Sequence, residues 1–121
     1  MILGLRTALY PAPDLGKARQ WYAQVLEREP YFEQPYYVGF NVGGFELGLV
    51  PDMEPGSAGM RVLWGVPDLD EELARLRQFG ARLHEAPQDV GEGIRTAAVL
   101  DPFGNVFGLI ENPHFDAKTV R

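Results

Sequence analysis

The chain has 121 residues and a mass of 13.5 kDa, the size of one ordinary domain. Its net charge of −6 argues against nucleic acid as a partner, because a phosphate backbone would be repelled. It has no cysteine, which excludes disulfides, thiolate zinc sites, iron–sulfur clusters and cysteine nucleophiles. It contains no run of about 18 apolar residues and no secretory signal pattern, so a cytoplasmic protein that does not span a membrane is predicted.

A repeated segment organises the sequence. Residues 7–15 resemble residues 61–69 at a constant offset of 54 positions, and both copies end in Pro-Asp-Leu. The proline fixes its own φ and keeps the preceding residue extended, so a strand should end there. The carboxylates of Asp14 and Asp68 are then suited to cap the free N–H groups of a following helix. Each half is therefore predicted to begin with a strand followed by a helix.

Each predicted helix has one apolar face. In the first helix this face consists of Leu15, Ala18, Tyr22, Val25 and Leu26. In the second helix it consists of Leu69, Leu73 and Leu76. Glu71 follows Asp68 by three residues, as in a capping box, and Gly80 is a favourable residue for ending the helix.

The segments after each helix are strand-like. In the first half they are residues 36–42 and 45–50, joined at Gly43-Gly44; in the second they are residues 81–84, 96–100 and 106–110. The sequence Asp-Pro-Phe-Gly-Asn at 101–105 is typical of a type I turn in a hairpin. Residues 51–59 read as a linker. The prediction is an α+β tandem duplication in a single domain, with modules at 1–56 and 57–112 and a tail at 113–121.

This pattern resembles the vicinal oxygen chelate superfamily, which includes glyoxalase I, bleomycin-resistance proteins and extradiol dioxygenases. The resemblance rests on two βαβββ modules, the Pro-Asp-Leu strand ends and the turn at 101–105 followed by Phe-Gly-Leu-Ile-Glu, and it spans about residues 3–112. It implies that the two modules pair into a cupped, barrel-like mixed sheet with the helices outside. It also implies a homodimer that binds a small molecule.

The resemblance further implies four positions at which metal-dependent members place their ligands. The first-strand positions correspond to Thr7 and Arg61, and the last-strand position of the second module corresponds to Gly108. The first module's last-strand position is Glu46 or Gly48. Only Glu46 suits a divalent ion, since threonine is a weak donor, arginine is cationic and glycine has no side chain. We therefore expect no metal cofactor; the alternative is a diverged site for Zn, Ni, Mn or Fe.

Arg61 is the most informative single residue. Strand alternation places Arg61 and Leu63 on one face and the bulky Trp64 on the other, so Arg61 should point into the implied cup. It then serves either as a clamp for a ligand anion or as the partner of Glu46 in an internal ion pair. Glu46 could instead act alone as a general base in an isomerase or epimerase.

Aromatic and histidine residues add weaker predictions. Because adjacent strand residues face opposite ways, one of the pair at 36 and 37 should reach the cup or a subunit interface, and Tyr37 is included among the ligand-binding residues. Phe103, at the tip of the turn, should be partly exposed. His84 matches no ligand position, and a role for His114 would require a partner chain.

Three functions follow as hypotheses. The first is a metal-independent binder of a small organic ligand, similar to bleomycin-resistance proteins. Its predicted ligand-binding residues are Thr7, Tyr37, Glu46, Arg61, Leu63, Phe103 and Gly108. The second is a glyoxalase-like lyase, isomerase or dioxygenase with a diverged metal site, drawing on Glu46 with Glu111, His84 or a neighbouring chain. The third is a non-catalytic interaction module.

Overall fold

The computed structural model of the chain describes residues 1, 5–56, 61–115 and 118. The end of the predicted linker, residues 57–59, and tail residues 116, 117 and 119–121 lie outside the described residues. The chain divides into two compact units, Met1–Pro55 and Gly56–Arg121.

Both units contain one helix and one sheet in the order predicted from the repeat. The first unit consists of β1 (Thr7–Pro11), α1 (Leu15–Leu26), β2 (Phe32–Gln34), β3 (Tyr37–Val42) and β4 (Phe45–Val50). The second consists of β5 (Leu63–Gly65), α2 (Leu69–Gln78), β6 (Arg82–Asp89), β7 (Arg95–Leu100) and β8 (Val106–Glu111). The predicted α+β class and βαβββ modules are confirmed.

The two sheets have the same topology. Their strand orders are β1-β4-β3-β2 and β5-β8-β7-β6, so the first strand of each unit lies beside the last. That pair is parallel, and the other pairs are antiparallel. A parallel pair requires a crossover connection, and this is the role of the helix in each unit.

The first unit packs α1 against one face of its sheet. Asp14 caps the helix by accepting a hydrogen bond from the Lys17 N–H at 3.1 Å, as the repeat predicts. The edge of the Tyr10 ring meets Tyr22 at a centroid distance of 5.9 Å. Tyr22 is fully buried, which confirms its predicted place in the core. The sheet contributes Val38, Phe40, Leu47 and Leu49 to the same core.

The second unit repeats this arrangement with a shorter first strand and a shorter helix. Asp68 accepts a hydrogen bond from the Glu71 N–H at 3.1 Å, and Glu111 accepts another from the Leu69 N–H at 2.8 Å. Gly80 follows the helix with a φ of +89°, a conformation that glycine adopts without steric penalty. The predicted apolar stripe of Leu69, Leu73 and Leu76 is buried.

The predicted turn of the last hairpin is also confirmed. The Asp101 carbonyl accepts a hydrogen bond from the Gly104 N–H at 3.2 Å. Its carboxylate accepts from the backbone N–H groups of Phe103 and Asn105 at 2.9 and 2.8 Å. Asp101 and Asn105 are both buried, so the turn is fixed from inside the unit.

Two strand predictions require correction. The strand predicted at 81–84 extends over Arg82–Asp89, and its pairing with β7 shifts register at two places. β2 was not predicted, because all three of its residues are exposed and carry no alternating apolar pattern.

Neither described helix, with 12 and 10 residues, is long and apolar enough to cross a membrane.

Candidate functional site

Glu46 is the centre of a polar cluster on the first unit. It lies on β4, opposite Thr7 of β1 and Asn41 of β3, and its side chain is partly buried. The Tyr31 hydroxyl donates a hydrogen bond to one carboxylate oxygen, and the Tyr37 hydroxyl donates to the other. A carboxylate held by two phenols has a fixed orientation and keeps further acceptor capacity.

Two glycines allow the tyrosine rings to reach this carboxylate. Gly39 and Gly48 are partners in neighbouring strands and form a flat floor beneath the rings. A Cβ atom at Gly48 would overlap the Tyr37 hydroxyl and lie 2.6 Å from Cζ of that ring. At Gly39 it would lie 3.3 Å from the Tyr37 ring and 3.4 Å from the Tyr31 ring. Side chains at these positions would therefore lift the rings away from Glu46.

The position of Tyr37 also affects its chemistry. Burial of the phenol raises the pKa of Tyr37 above its ordinary value, because the phenolate would lose solvation. Tyr37 therefore stays protonated at neutral pH and remains a hydrogen-bond donor to Glu46.

Arg61 is the centre of a different cluster on the second unit. Its guanidinium forms an ion pair with Glu85, and both side chains are partly exposed. The pair lies at a pocket of about 150 Å³. The pocket is lined by Arg61, Leu63, Glu85, Gln88, Thr96, Ala86 and Ala97. It combines an ion pair, two uncharged polar side chains and a small apolar wall.

Strand register identifies the equivalent positions of the two units. Leu9 pairs with Gly48 in the first unit, and Leu63 pairs with Gly108 in the second. Because Leu9 and Leu63 are equivalent in the repeat, Gly48 rather than Glu46 is the counterpart of Gly108. Of the two last-strand positions that the sequence left open, the register therefore supports Gly48, and Glu46 lies two residues before it.

The residues at these positions do not match the donor set of a divalent metal site. Arg61 is a cation, and Thr7 offers a neutral hydroxyl. A Cβ atom at Gly108 would lie 2.5 Å from the Val62 carbonyl oxygen and 2.8 Å from Cδ2 of Leu63, so that position is already filled. Within residues 5–56 and 61–115, no group of three or more His, Asp or Glu side chains could hold a metal ion.

The strand predicted around Arg61 begins later, since β5 starts at Leu63, but the predicted alternation of exposure is present from residue 61 to residue 64. Arg61 and Leu63 are exposed, whereas Val62 and Trp64 are partly buried. Trp64 stacks on Phe107 with a centroid distance of 5.8 Å and an interplanar angle of 12°. Trp64 thus packs against another side chain of the unit, whereas Arg61 and Leu63 line the pocket described above.

The remaining predicted residues occupy several places. Phe103 is partly exposed at the hairpin tip, as expected. His84 is exposed on β6, and a ring nitrogen of His114 lies 2.7 Å from the Glu92 carbonyl oxygen. The carboxylate of Glu111 is directed to the start of α2 rather than toward Gly108. This position gives Glu111 a capping role and makes it a poor substitute metal ligand.

The sequence indicated Glu46 and Arg61 but missed their partners. An ion pair between these two residues was one of the two alternatives for Arg61, and in the structure each has partners within its own unit. Tyr31 precedes the unpredicted strand β2, and Glu85 lies in the part of β6 that was not predicted. The pair of glycines facing a tyrosine-rich hairpin is the one sequence signal that could have suggested the first cluster.

Comparison with known proteins agrees with the architecture. The model of the Glyoxalase/Bleomycin resistance protein/Dioxygenase superfamily matches residues 4–109. A superfamily member from Sphaerobacter thermophilus DSM 20745 is 23% identical with a TM-score of 0.75, over 93% of this chain and 99% of that one. No curated protein matches the sequence.

Two structures with named activities share the fold. A fosfomycin resistance protein from Listeria monocytogenes is 17% identical with a TM-score of 0.77, over 94% of this chain and 97% of that one. A lactoylglutathione lyase from Agrobacterium tumefaciens is 19% identical with a TM-score of 0.74, over 96% and 100%. The family model matches most of the chain, and the two βαβββ units have the same strand order. This chain therefore belongs to the Glyoxalase/Bleomycin resistance protein/Dioxygenase superfamily.

Proposed function

We propose that the protein binds a small organic molecule without the metal ion used by metal-dependent members of its superfamily. The observation that carries this proposal is the set of residues at the four implied ligand positions. A cation stands at Arg61, a hydroxyl at Thr7, and glycines at the two last-strand positions, Gly48 and Gly108. Glu46, which lies two residues before Gly48, accepts hydrogen bonds from two phenols.

The pocket at Arg61 supports binding of an organic ligand. A volume of about 150 Å³ is suitable for a small molecule or for one group of a larger one. Gln88 and Thr96 supply polar contacts, and the guanidinium of Arg61 presents a planar array of donors. A ligand carboxylate would compete with Glu85 for this guanidinium, so the ion pair holds the arginine in place until the ligand arrives.

Metal titration tests the first half of the proposal. Chelator-treated protein is heated with Ni, Zn, Mn, Fe and Co ions in separate samples. A ligand that binds only the native state raises the melting temperature, so we expect no saturating shift with any of these ions. A saturating shift would overturn metal independence and favour a glyoxalase-like lyase, isomerase or dioxygenase.

A screen of small carboxylates in chelator-containing buffer tests the second half. We expect a subset to raise the melting temperature and to lose most of this shift in Arg61→Ala. Arg82→Ala is the matched control, since it removes an exposed arginine from the same unit. Equal losses in both variants would show that the effect is general charge attraction and not a clamp at Arg61.

The proposal extends to assembly and location. Exposed apolar side chains on each unit, including Leu9 and Leu63 at 50% and 42% exposure, are consistent with a homodimer. The absence of cysteine from the sequence means that folding does not require an oxidising compartment, which is consistent with the cytoplasm. Light scattering at several protein concentrations tests the dimer, and a persistent mass near 13.5 kDa would contradict it.

A further inference from the structure

The described basic side chains of the first unit do not neutralise the carboxylate of Glu46. The described basic side chains of this unit have other partners: Lys17 pairs with Asp14, and Arg19 pairs with Glu29 and Glu33. Arg6 and Arg28 donate to backbone carbonyl groups. Among the described residues of the first unit, Glu46 therefore has phenol donors but no cationic partner.

The hydrogen bonds to Glu46 leave room for a ligand. A carboxylate offers about four lone-pair sites, and Tyr31 and Tyr37 occupy two of them, one on each oxygen. The phenols are donors and cannot cancel the charge. A group that brings both positive charge and N–H donors would satisfy the remaining sites.

Further aromatic rings lie next to Tyr37, one of the two tyrosines that bind Glu46. Phe32 lies 6.0 Å from Tyr37 and 6.5 Å from Tyr36 between ring centroids, and both pairs are inclined at 64°. Phe32, Tyr36 and Tyr31 are 39%, 66% and 64% exposed, so their surfaces are accessible to a ligand. The face of an aromatic ring attracts cations through its quadrupole, and inclined rings can contact one cation from several sides.

The same features disfavour other ligand classes. An anion would be repelled by Glu46, and an apolar molecule would cover a carboxylate without pairing it. An inorganic divalent ion would find one carboxylate and two phenols, which is a poor set of donors for it. The second unit differs, because Arg61 there already has Glu85 as a counter-ion.

We infer that Glu46, Tyr31, Tyr37, Phe32 and Tyr36 form a binding site for an organic cation, with a substituted ammonium or guanidinium as the group recognised. This inference goes beyond the proposed function, because the site lies on the first unit and its ligand has the opposite charge to the carboxylate proposed for Arg61. The carboxylate provides the charge partner, the two phenols hold it in position, and the rings contact the alkyl groups of the cation. The net charge of −6 adds long-range attraction in the same direction.

The test is an NMR titration of ¹⁵N-labelled protein with tetramethylammonium and methylguanidinium, at constant ionic strength and with a chelator present. The backbone signals of Gly39 and Gly48, which lie under the rings, should move and saturate. Acetate at the same concentrations should leave them unchanged. The Gly108 signal serves as an internal reference from the second unit.

Variants separate the contributions. Glu46→Gln keeps the shape and the acceptor oxygen but removes the charge, and should weaken both cations about tenfold. Phe32→Leu should weaken tetramethylammonium about threefold through loss of a ring face. Glu54→Gln is the control, since it makes the same charge change at an exposed residue of the same unit, and should leave affinity unchanged.

Three results would overturn the inference. The first is that the cations leave the NMR signals of Gly39 and Gly48 unchanged. The second is that Glu54→Gln lowers the affinity for the cations as much as Glu46→Gln does. The third is that acetate shifts these two signals instead. None of these affects the proposed function, which fails separately if a metal ion produces a saturating thermal shift. If Glu46→Gln does not fold, Phe32→Leu and the comparison of cations with acetate still decide the matter.

Discussion

The two units share a strand order and a register, yet different groups cover their equivalent glycines. In the first unit the Tyr37 ring covers Gly48, and its hydroxyl continues to Glu46. In the second unit the Val62 carbonyl and the Leu63 side chain fill the space at Gly108. One cover is a side chain with a polar end, and the other is largely backbone.

The charges of the two units differ in the same way. Arg61 has a carboxylate partner in Glu85, whereas Glu46 is bound by neutral phenols. A duplicated backbone therefore carries a neutralised pair on one sheet. On the other it carries a negative charge that has no cationic partner among the described residues of its own unit. The difference teaches that a shared topology fixes equivalent backbone positions, while a few side chains decide the local charge at each of them.

The two glycines give the largest expected difference. Gly108→Ala places a methyl group 2.5 Å from a backbone oxygen, whereas Gly48→Ala meets a side chain that can rotate. We expect losses in the free energy of unfolding of about 3 kcal/mol for Gly108→Ala and about 1 kcal/mol for Gly48→Ala. Urea unfolding measures both. Equal losses would contradict this expectation, because they would show that the backbone at Gly108 yields to a methyl group as readily as the Tyr37 ring does at Gly48.

The final hairpins of the two units provide the next comparison. Asp101 is buried and accepts hydrogen bonds from Phe103 and Asn105, whereas exposed Asn41 accepts one from the Gly44 N–H at 3.0 Å. We expect Asp101→Ala to lower the free energy of unfolding by about 2 kcal/mol and Asn41→Ala by about 0.5 kcal/mol. Thermal and urea unfolding check this order, which a larger loss for Asn41→Ala would contradict.

The helix caps should behave alike because they come from the repeated segment. Asp14→Ala and Asp68→Ala each remove one side-chain acceptor from a helix start, and each should lower the free energy of unfolding by about 1 kcal/mol. Asp52→Ala, at an exposed position outside the helices, is the control for loss of a carboxylate. A loss for the control as large as for the caps would show that net charge is responsible.

The smallest effect is a pH dependence in the second unit. Hydrogen bonds from Arg95 lower the pKa of Asp70 below its ordinary value of about 3.9. The folded state thus favours the charged carboxylate of Asp70. This interaction stabilises the folded protein at pH values above the ordinary pKa of Asp70, and the stabilisation is lost as the pH falls through the lowered pKa. Asp70→Asn should therefore be slightly less stable than the wild type at pH 6, with the difference disappearing in acid. Unfolding across this pH range measures it, and a difference that grows in acid would contradict the assignment.

Local signals account for the predictions that were confirmed. Pro13-Asp14 and Pro67-Asp68 mark where a strand ends and a helix begins, and both caps are observed. The turn at 101–105 is specified by its own residues, and the alternation around Trp64 follows from strand geometry. Such features need only neighbours within a few positions, so sequence alone reveals them.

Partners distant in sequence account for what was missed. Tyr31 lies 15 residues before Glu46, and the strand that follows it has no apolar alternation. Glu85 lies on a strand whose pairing shifts register and which continues through Pro87, a residue that argues against a strand. Neither partner could be assigned without knowing how the sheets pair.

The amino-acid sequence by itself determined the duplication, the helix starts, the hairpin turn and the chemistry of the residues at the superfamily's ligand positions. The tertiary structure alone decided that Gly48 is the counterpart of Gly108 and that two phenols hold Glu46. It also decided that Arg61 pairs with Glu85. The physical reason is that caps and turns form between near neighbours, whereas the partner of a charged side chain depends on strand register and on which face of the sheet each residue occupies.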